Sequence, residues 1–327
     1  MKRTLAARFS AALLVLAAVA LPVAAADQAL SLVPANAVSV GMVRLADMRT
    51  SPLSSLLFEH TDKMSSDGEA QKFLTDAGLS LTKDVDVLVV ATTPLTSLGP
   101  DAEILVLAEG RFDVARLSSA FASRGAIRKN GYFVLPGEDA DDERKGAIAF
   151  VSPSLIVGGM ESAVVAALDA HKNGGTGFLT RGGLGLDLHR IDSKATAWAL
   201  IDVVRAQRLN KGGRIHTGSG NSGETLQAAL KSLSTVAVWA TDKGDALALG
   251  ATGLSTDAET LELLEDAIRG GLSAMRLAAK EKSPEMVSVL RRFEVSRGNG
   301  AVTVEGSIPA AQLKQMMAKK HASHRGH

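Results

Sequence analysis

The 327-residue chain contains no cysteine. That one absence excludes disulfides, thiolate catalysis, Cys-ligated zinc and a lipid-modified N-terminal cysteine. Other absences narrow the chemistry further. No G-x-S-x-G elbow occurs, so an α/β-hydrolase has no nucleophile signature. Neither His-Glu-x-x-His nor Ser-x-x-Lys with its partner motifs is present. A clear basic surplus is missing too. The whole chain has 36 Lys+Arg against 35 Asp+Glu, which argues against nucleic acid as a partner. The longest apolar run, Ala11 to Leu21, falls short of the roughly 20 residues that span a bilayer.

What is present begins with that run. Lys2, Arg3 and Arg8 precede it, Pro22 ends it, and Ala24-Ala25-Ala26 follow. A basic start, a short apolar centre and small residues at the end make the pattern of a secretory signal peptide. Arg3 and Arg8 are not adjacent, so the general secretory route is expected rather than the twin-arginine one. Cleavage after Ala26 leaves 301 of the 327 residues, beginning at Asp27, and a periplasmic or secreted destination. The mature chain then carries no membrane span. Its length allows a core that holds without disulfides, and suggests two domains. Losing three basic residues takes the net charge to −2, and it is uneven. Residues 27–175 hold 13 basic and 20 acidic side chains, residues 176–327 hold 20 and 15. The two stretches therefore attract one another, face different partners, or differ by chance and tail composition.

Periodicity divides the chain into two similar halves, 27–175 and 176–318, followed by a basic His-containing tail at 319–327. In the first half, strands are expected over Val38–Val43, Val85–Ala91, Ile104–Glu109, Tyr132–Leu135, Ala147–Val151 and Leu155–Val157. Helices are expected after Ser51-Pro52, over Glu69–Ala77, after the cap Asp113 and over Ala163–His171. The second half offers strands at Ala195–Ile201, Thr235–Ala240, Ala246–Ala251, Phe293–Ser296 and Ala301–Gly306. Between them lie a helix over Glu224–Leu233 and a longer one opened by a Thr256/Glu259 capping box. The longer helix shows Leu261, Leu264, Ile268, Leu272 and Met275 on one face. Ser283-Pro284 starts another helix, and Pro309 a last one to about Met317. Val85–Phe121 matches Val236–Ile268 in order: strand, strand, capped helix. Strands that recur as hairpins imply antiparallel sheets with helices on one face. The expected class is α+β, two related halves, each an antiparallel sheet covered by helices. The Gly-rich stretch from Asn173 to Arg190 is the expected boundary.

Few stretches could carry chemistry, and each has a plainer reading. Gly218–Gly223 matches G-x-G-x-x-G, but loop rather than strand precedes it, so it reads as a surface loop. The acidic run Glu138–Glu143 could ligate calcium but lacks the glycine of an EF-hand loop, and reads as a solvated hairpin tip. His321, His324 and His327 could meet a metal if helical, although Ala322, Ser323 and Gly326 favour a loose tail. Trp198 and Trp239 could line a pocket or stack a sugar, but on apolar strands they read as core. No catalytic, cofactor-binding or metal-binding residue is assigned.

Several segments resemble a group of uncharacterised bacterial exported proteins. They are Leu32–Ala37, Ser51-Pro52, Leu107–Asp113 and Ser154–Gly159. The likeness covers mainly residues 32–170 and rests on caps, turns and strands. It implies an exported α+β chain of unknown function and transfers no catalytic residue. The expected role is therefore a non-enzymatic binding or interaction protein of the cell envelope, whose partner is an unknown protein or a small apolar ligand. The alternatives are a carrier of an apolar ligand and an envelope hydrolase whose site assembles only in space.

Overall fold

The computed structural model describes residues 28–51, 77–94, 102–136, 145–174, 177–179, 183–209 and 230–316. In chain order the elements are β1 (Ser39–Arg44), α1 (Leu45–Met48), α2 (Leu81–Asp84), β2 (Val85–Pro94), β3 (Ala102–Gly110), α3 (Val114–Ser123), β4 (Ile127–Lys129) and β5 (Tyr132–Val134). Next come β6 (Gly146–Ser152), β7 (Leu155–Met160), α4 (Glu161–Lys172), a 3₁₀ helix (Gly183–Arg190), β8 (Ala197–Asp202) and α5 (Val203–Leu209). The chain continues through β9 (Thr235–Asp242), β10 (Ala246–Leu254), α6 (Ala258–Lys282), α7 (Pro284–Leu290), β11 (Glu294–Gly298) and β12 (Ala301–Pro309), and residues 310–316 are helical.

The class is α+β, as expected, but the strands do not form two sheets. They join in one twelve-stranded antiparallel sheet of order β11-β12-β10-β9-β8-β1-β2-β3-β7-β6-β5-β4. Strands of the first half occupy one side, those of the second half the other. They meet where β1 pairs with β8, and there Gly41 lies opposite Ala199, Ser39 opposite Ile201 and Val43 opposite Ala197. Hydrogen bonds on the two sides of this seam repeat one another. Arg44 N–H donates to Thr196 O and Asp202 N–H to Val38 O. Val38 N–H donates to Thr92 O, and Thr196 N–H to Ala240 O. Gly110 N–H donates to Ser154 O, and Ser255 N–H to Gly300 O. Each side runs strand, hairpin, helix, hairpin, with the last strand of the second hairpin returning beside the first hairpin. The β4–β5 hairpin extends the first side alone.

Helices cover both faces rather than one. On one face α4 contributes Ala163, Val164 and Ala167 to the largest core. The segment from Ala29 to Val33, Phe178, Leu184 and Ile191 join it over Val40, Met42, Val89, Leu105, Leu107, Trp198 and Trp239. Glu109 is buried in this face, and its carboxylate accepts from Ala29 N–H at 2.5 Å, which fastens the leading segment to β3. On the other face α3 packs Leu117 against Ile156 near one end of the sheet. Phe121, Phe133 and Phe150 extend that cluster, with ring centroids 6.1–6.4 Å apart. Helix α6 packs Leu261, Leu264 and Leu272 against Val295 and Val302 near the opposite end. A bulge between Val85 and Val87 lets successive odd residues of β2 serve different faces: Val85 joins the α3 cluster and Val87 the large core.

Several local expectations are corrected. Asp257, not Thr256, caps α6, and its carboxylate accepts from Glu259 and Thr260 N–H. The Ser255 hydroxyl accepts from Asp257 N–H, which sets the helix start one residue later than a capping box would. Met275 is exposed rather than core-facing, because the packed stripe of α6 ends at Leu272. Asn130 and Gly131, both at positive φ, turn β4 into β5, a hairpin not expected from the sequence. Helix α5 was likewise not expected. Asp113 caps α3 through Arg116 N–H, and Pro284 opens α7, as expected. The leader at 1–26, the helix after Ser51-Pro52 and nearly all of those over Glu69–Ala77 and Glu224–Leu233 lie outside the described residues.

Candidate functional site

The strands at the sheet centre are apolar on both faces, yet only one face is filled. In β1, Val40 and Met42 are fully buried while Gly41 and Val43, which alternate with them, are only half-buried. The same alternation holds on β9, where Ala237 and Trp239 are buried but Val238 is 40% exposed. On β2, Val89 is buried and Val90 is 39% exposed. Helices α3 and α6 stand at either end of this second face. The half-buried and exposed residues between them form an apolar trough.

Small residues floor the trough: Gly41, Ala197, Ala199, Ala240 and Ala251. Val43, Leu88, Val90, Val238, Leu249 and Val304 rise around them, and Phe293 also lines the space. The space has a volume of about 580 Å³, within the ~300–1,000 Å³ usual for small-molecule sites. Its walls are almost wholly carbon. Phe293 holds its place because β12 carries Gly306 beneath it, where an added Cβ would fall 2.6 Å from the ring. Gly41 is different: a Cβ there would make only ordinary contacts, with Trp198 O at 3.6 Å and the Ala199 Cβ at 3.8 Å. The empty centre is therefore a property of residue choice, not of backbone crowding.

A polar cleft of about 490 Å³ lies between α6 and β11. Arg269, Ser273, Arg276 and Glu294 line it, and Phe293 borders both spaces. Glu265 neutralises Arg269 at 2.9 Å and also meets Arg297 at 2.9 Å. These two guanidinium groups, Arg269 first, hold the Glu265 carboxyl below the usual carboxylate range.

Other charged clusters are structural. Glu161 Oε1 accepts from Lys129 Nζ and Tyr132 Oη, each at 2.7 Å. The arrangement lowers the Glu161 carboxyl below its ordinary value and raises both partners above theirs. Asp192 accepts from Lys194 N–H and the Thr241 hydroxyl, which lowers its carboxyl in that order of effect. Among the described residues no three His, Asp or Glu side chains converge as metal ligands, and no helix is long and apolar enough to cross a membrane. Trp198 and Trp239 pair across β8 and β9 in the filled core, each 8% exposed, and both residues also border the trough. Gly218–Gly223, Glu138–Glu143 and the three tail histidines lie outside the described residues. The sequence points only to the groove between the two halves as the default ligand site and names no residue of the trough. Its only signal was strands apolar at consecutive positions, such as Val87-Leu88-Val89-Val90, with Ala and Gly at the neighbouring sites of β1 and β8.

No protein family and no curated protein matches this chain. Among solved structures it is similar to TP0453. Crystal form I of that protein aligns at 10% identity and a TM-score of 0.48, over 89% of this chain and 97% of the other. Crystal form IV aligns at 11% and 0.46, over 88% and 95%.

Proposed function

We propose that the protein is a non-enzymatic binding module that seats an aliphatic ligand in the central trough. The observation that carries this reading is the trough itself: an open space of about 580 Å³ with carbon walls and a floor of Gly and Ala. A monomer that leaves Val90 and Val238 in water at the centre of its sheet gives up stability that larger floor residues would supply. A ligand restores that burial. Each methylene taken from water contributes about 0.8 kcal/mol, so affinity should tighten roughly fourfold per added methylene until the trough is full.

The same reading makes the chain an exported protein of the cell envelope, akin to the uncharacterised bacterial exported α+β group, with residues 1–26 removed. It also treats the two halves as descendants of one duplicated unit, supported by the hydrogen bonds that repeat across β1 and β8. N-terminal sequencing of protein recovered from its own cells should begin at Asp27, and a retained Met1 would overturn the cleavage.

The binding test uses the mature chain and a series of straight-chain alcohols. Affinity that climbs with chain length, and is lost in Ala199→Phe with the thermal midpoint unchanged, supports the trough. Absence of binding across the series would sink it. A dimer by sedimentation velocity that Ala199→Phe also dissociates would assign the trough to a second copy instead.

A further inference from the structure

We infer that the ligand is a single-chain amphiphile of the fatty-acid type, its chain in the trough and its carboxylate on Arg276. This rests on the preceding reading of the trough and adds a head-group site to it. Phe293 joins the two spaces: it lines both the apolar trough and the polar cleft. The Arg276 guanidinium lies against the backbone of that same residue, with Nη2 3.4 Å from Phe293 O. Nε and Nη2 also donate to Leu290 O, at 3.2 and 2.9 Å. Those carbonyls fix the group in place without neutralising it. Nη1 carries no hydrogen bond, and no carboxylate lies within ion-pair distance, among the described residues.

The contrast with Arg269, two turns earlier on the helix, is informative. Arg269 faces the same cleft but is already paired with Glu265. Glu294, exposed on the cleft, makes no ion pair with Arg276. One fixed cation with a free donor edge, in a cleft that shares Phe293 with the carbon-walled trough, complements a carboxylate that ends an alkyl chain. A neutral chain would gain nothing from it.

The test compares decanoate with 1-decanol by calorimetry at pH 7.5 and low salt, using the full mature chain. Decanoate should bind roughly tenfold tighter, and the difference should shrink as salt rises. Ser273→Glu places a carboxylate one turn from Arg276 and should erase the preference for decanoate over decanol. Arg276→Gln should do the same if the fold holds, and Ser273→Glu keeps the test decisive if it does not. Equal binding of the two compounds to the natural chain overturns the head-group site and leaves the trough standing. A preference that survives Ser273→Glu also overturns it. Binding of neither compound removes both proposals.

Discussion

The two faces of the central strands are built from the same kinds of residue and reach opposite ends. On one face Met42, Val89, Leu107 and Leu200 are closed off by α4, the 3₁₀ helix and the leading segment. On the other, Val90 and Val238 stand about two-fifths exposed, with Gly and Ala between them. Hydrophobicity does not separate the two faces, but what covers them does. The filled face presents its side chains to elements that lie directly over it. The open face mixes Gly and Ala with valines and leucines, and its helices stand at the ends of the sheet. An apolar strand face is therefore a core only where something of matching shape covers it, and otherwise it is a receptor surface.

The comparison can be broken or sharpened by substitution. The largest effect is expected on the filled face, where Leu107→Ala should cost about 2–5 kcal/mol in urea unfolding. A loss under ~1 kcal/mol would mean that this face is not closely packed. Next is Gly250→Ala. Its Cβ would fall 2.1 Å from the Trp239 indole, and displacing that ring should cost about 1–3 kcal/mol and shift tryptophan emission. Unchanged emission would show that the indole does not lie over Gly250. Asp257→Ala should cost about 1 kcal/mol through loss of the α6 cap, while Thr256→Ala should cost a few tenths. The reverse order would restore the capping box. Smaller still is Val238→Ala on the open face, expected within ~0.5 kcal/mol without ligand. A loss like that of Leu107→Ala would show the trough to be covered.

The last prediction concerns acid. Asp192 is lowered by Lys194 N–H and by Thr241 on the filled face, and Asp257 by the Thr260 hydroxyl and then by its cap bonds. A carboxyl lowered in the folded state lends stability that is fully present above its unfolded value, about pH 4, and fades as pH falls through the lower folded value. The thermal midpoint should therefore hold from neutrality to about pH 4 and drop below it. Asp192→Asn should flatten the drop. A profile that declines between pH 7 and 5 would point to other groups.

Much of this architecture is legible in the sequence because local chemistry specifies it. Asp113 and Ser283-Pro284 mark helix starts by satisfying or lacking the first backbone donors. Asp242–Asp245 and Arg297–Gly300 mark hairpins, with Gly244 and Gly300 at positive φ. The β4–β5 turn was equally readable in Asn130-Gly131, but its strands are only three residues each and Ile127–Lys129 is exposed throughout. What local chemistry cannot specify is which partner covers a strand. Val87-Leu88-Val89-Val90 reads as apolar on both sides, and nothing in those four residues says that Leu88 and Val90 look into open space. The merging of two sheets into one was hidden for the same reason. It depends on β1 and β8 meeting across about half of the chain's length, with Gly41 against Ala199 at the seam.

That seam also orders events during synthesis. Ser39 is made early, and its partner Ile201 emerges only after the whole first half and the boundary stretch. Until then β1 offers an unpaired ladder edge, and a stalled or clipped chain keeps it permanently. An unpaired apolar edge of this kind is a template for pairing with another chain. Quality control of this protein therefore has one dangerous interval, which ends when residues 197–202 arrive.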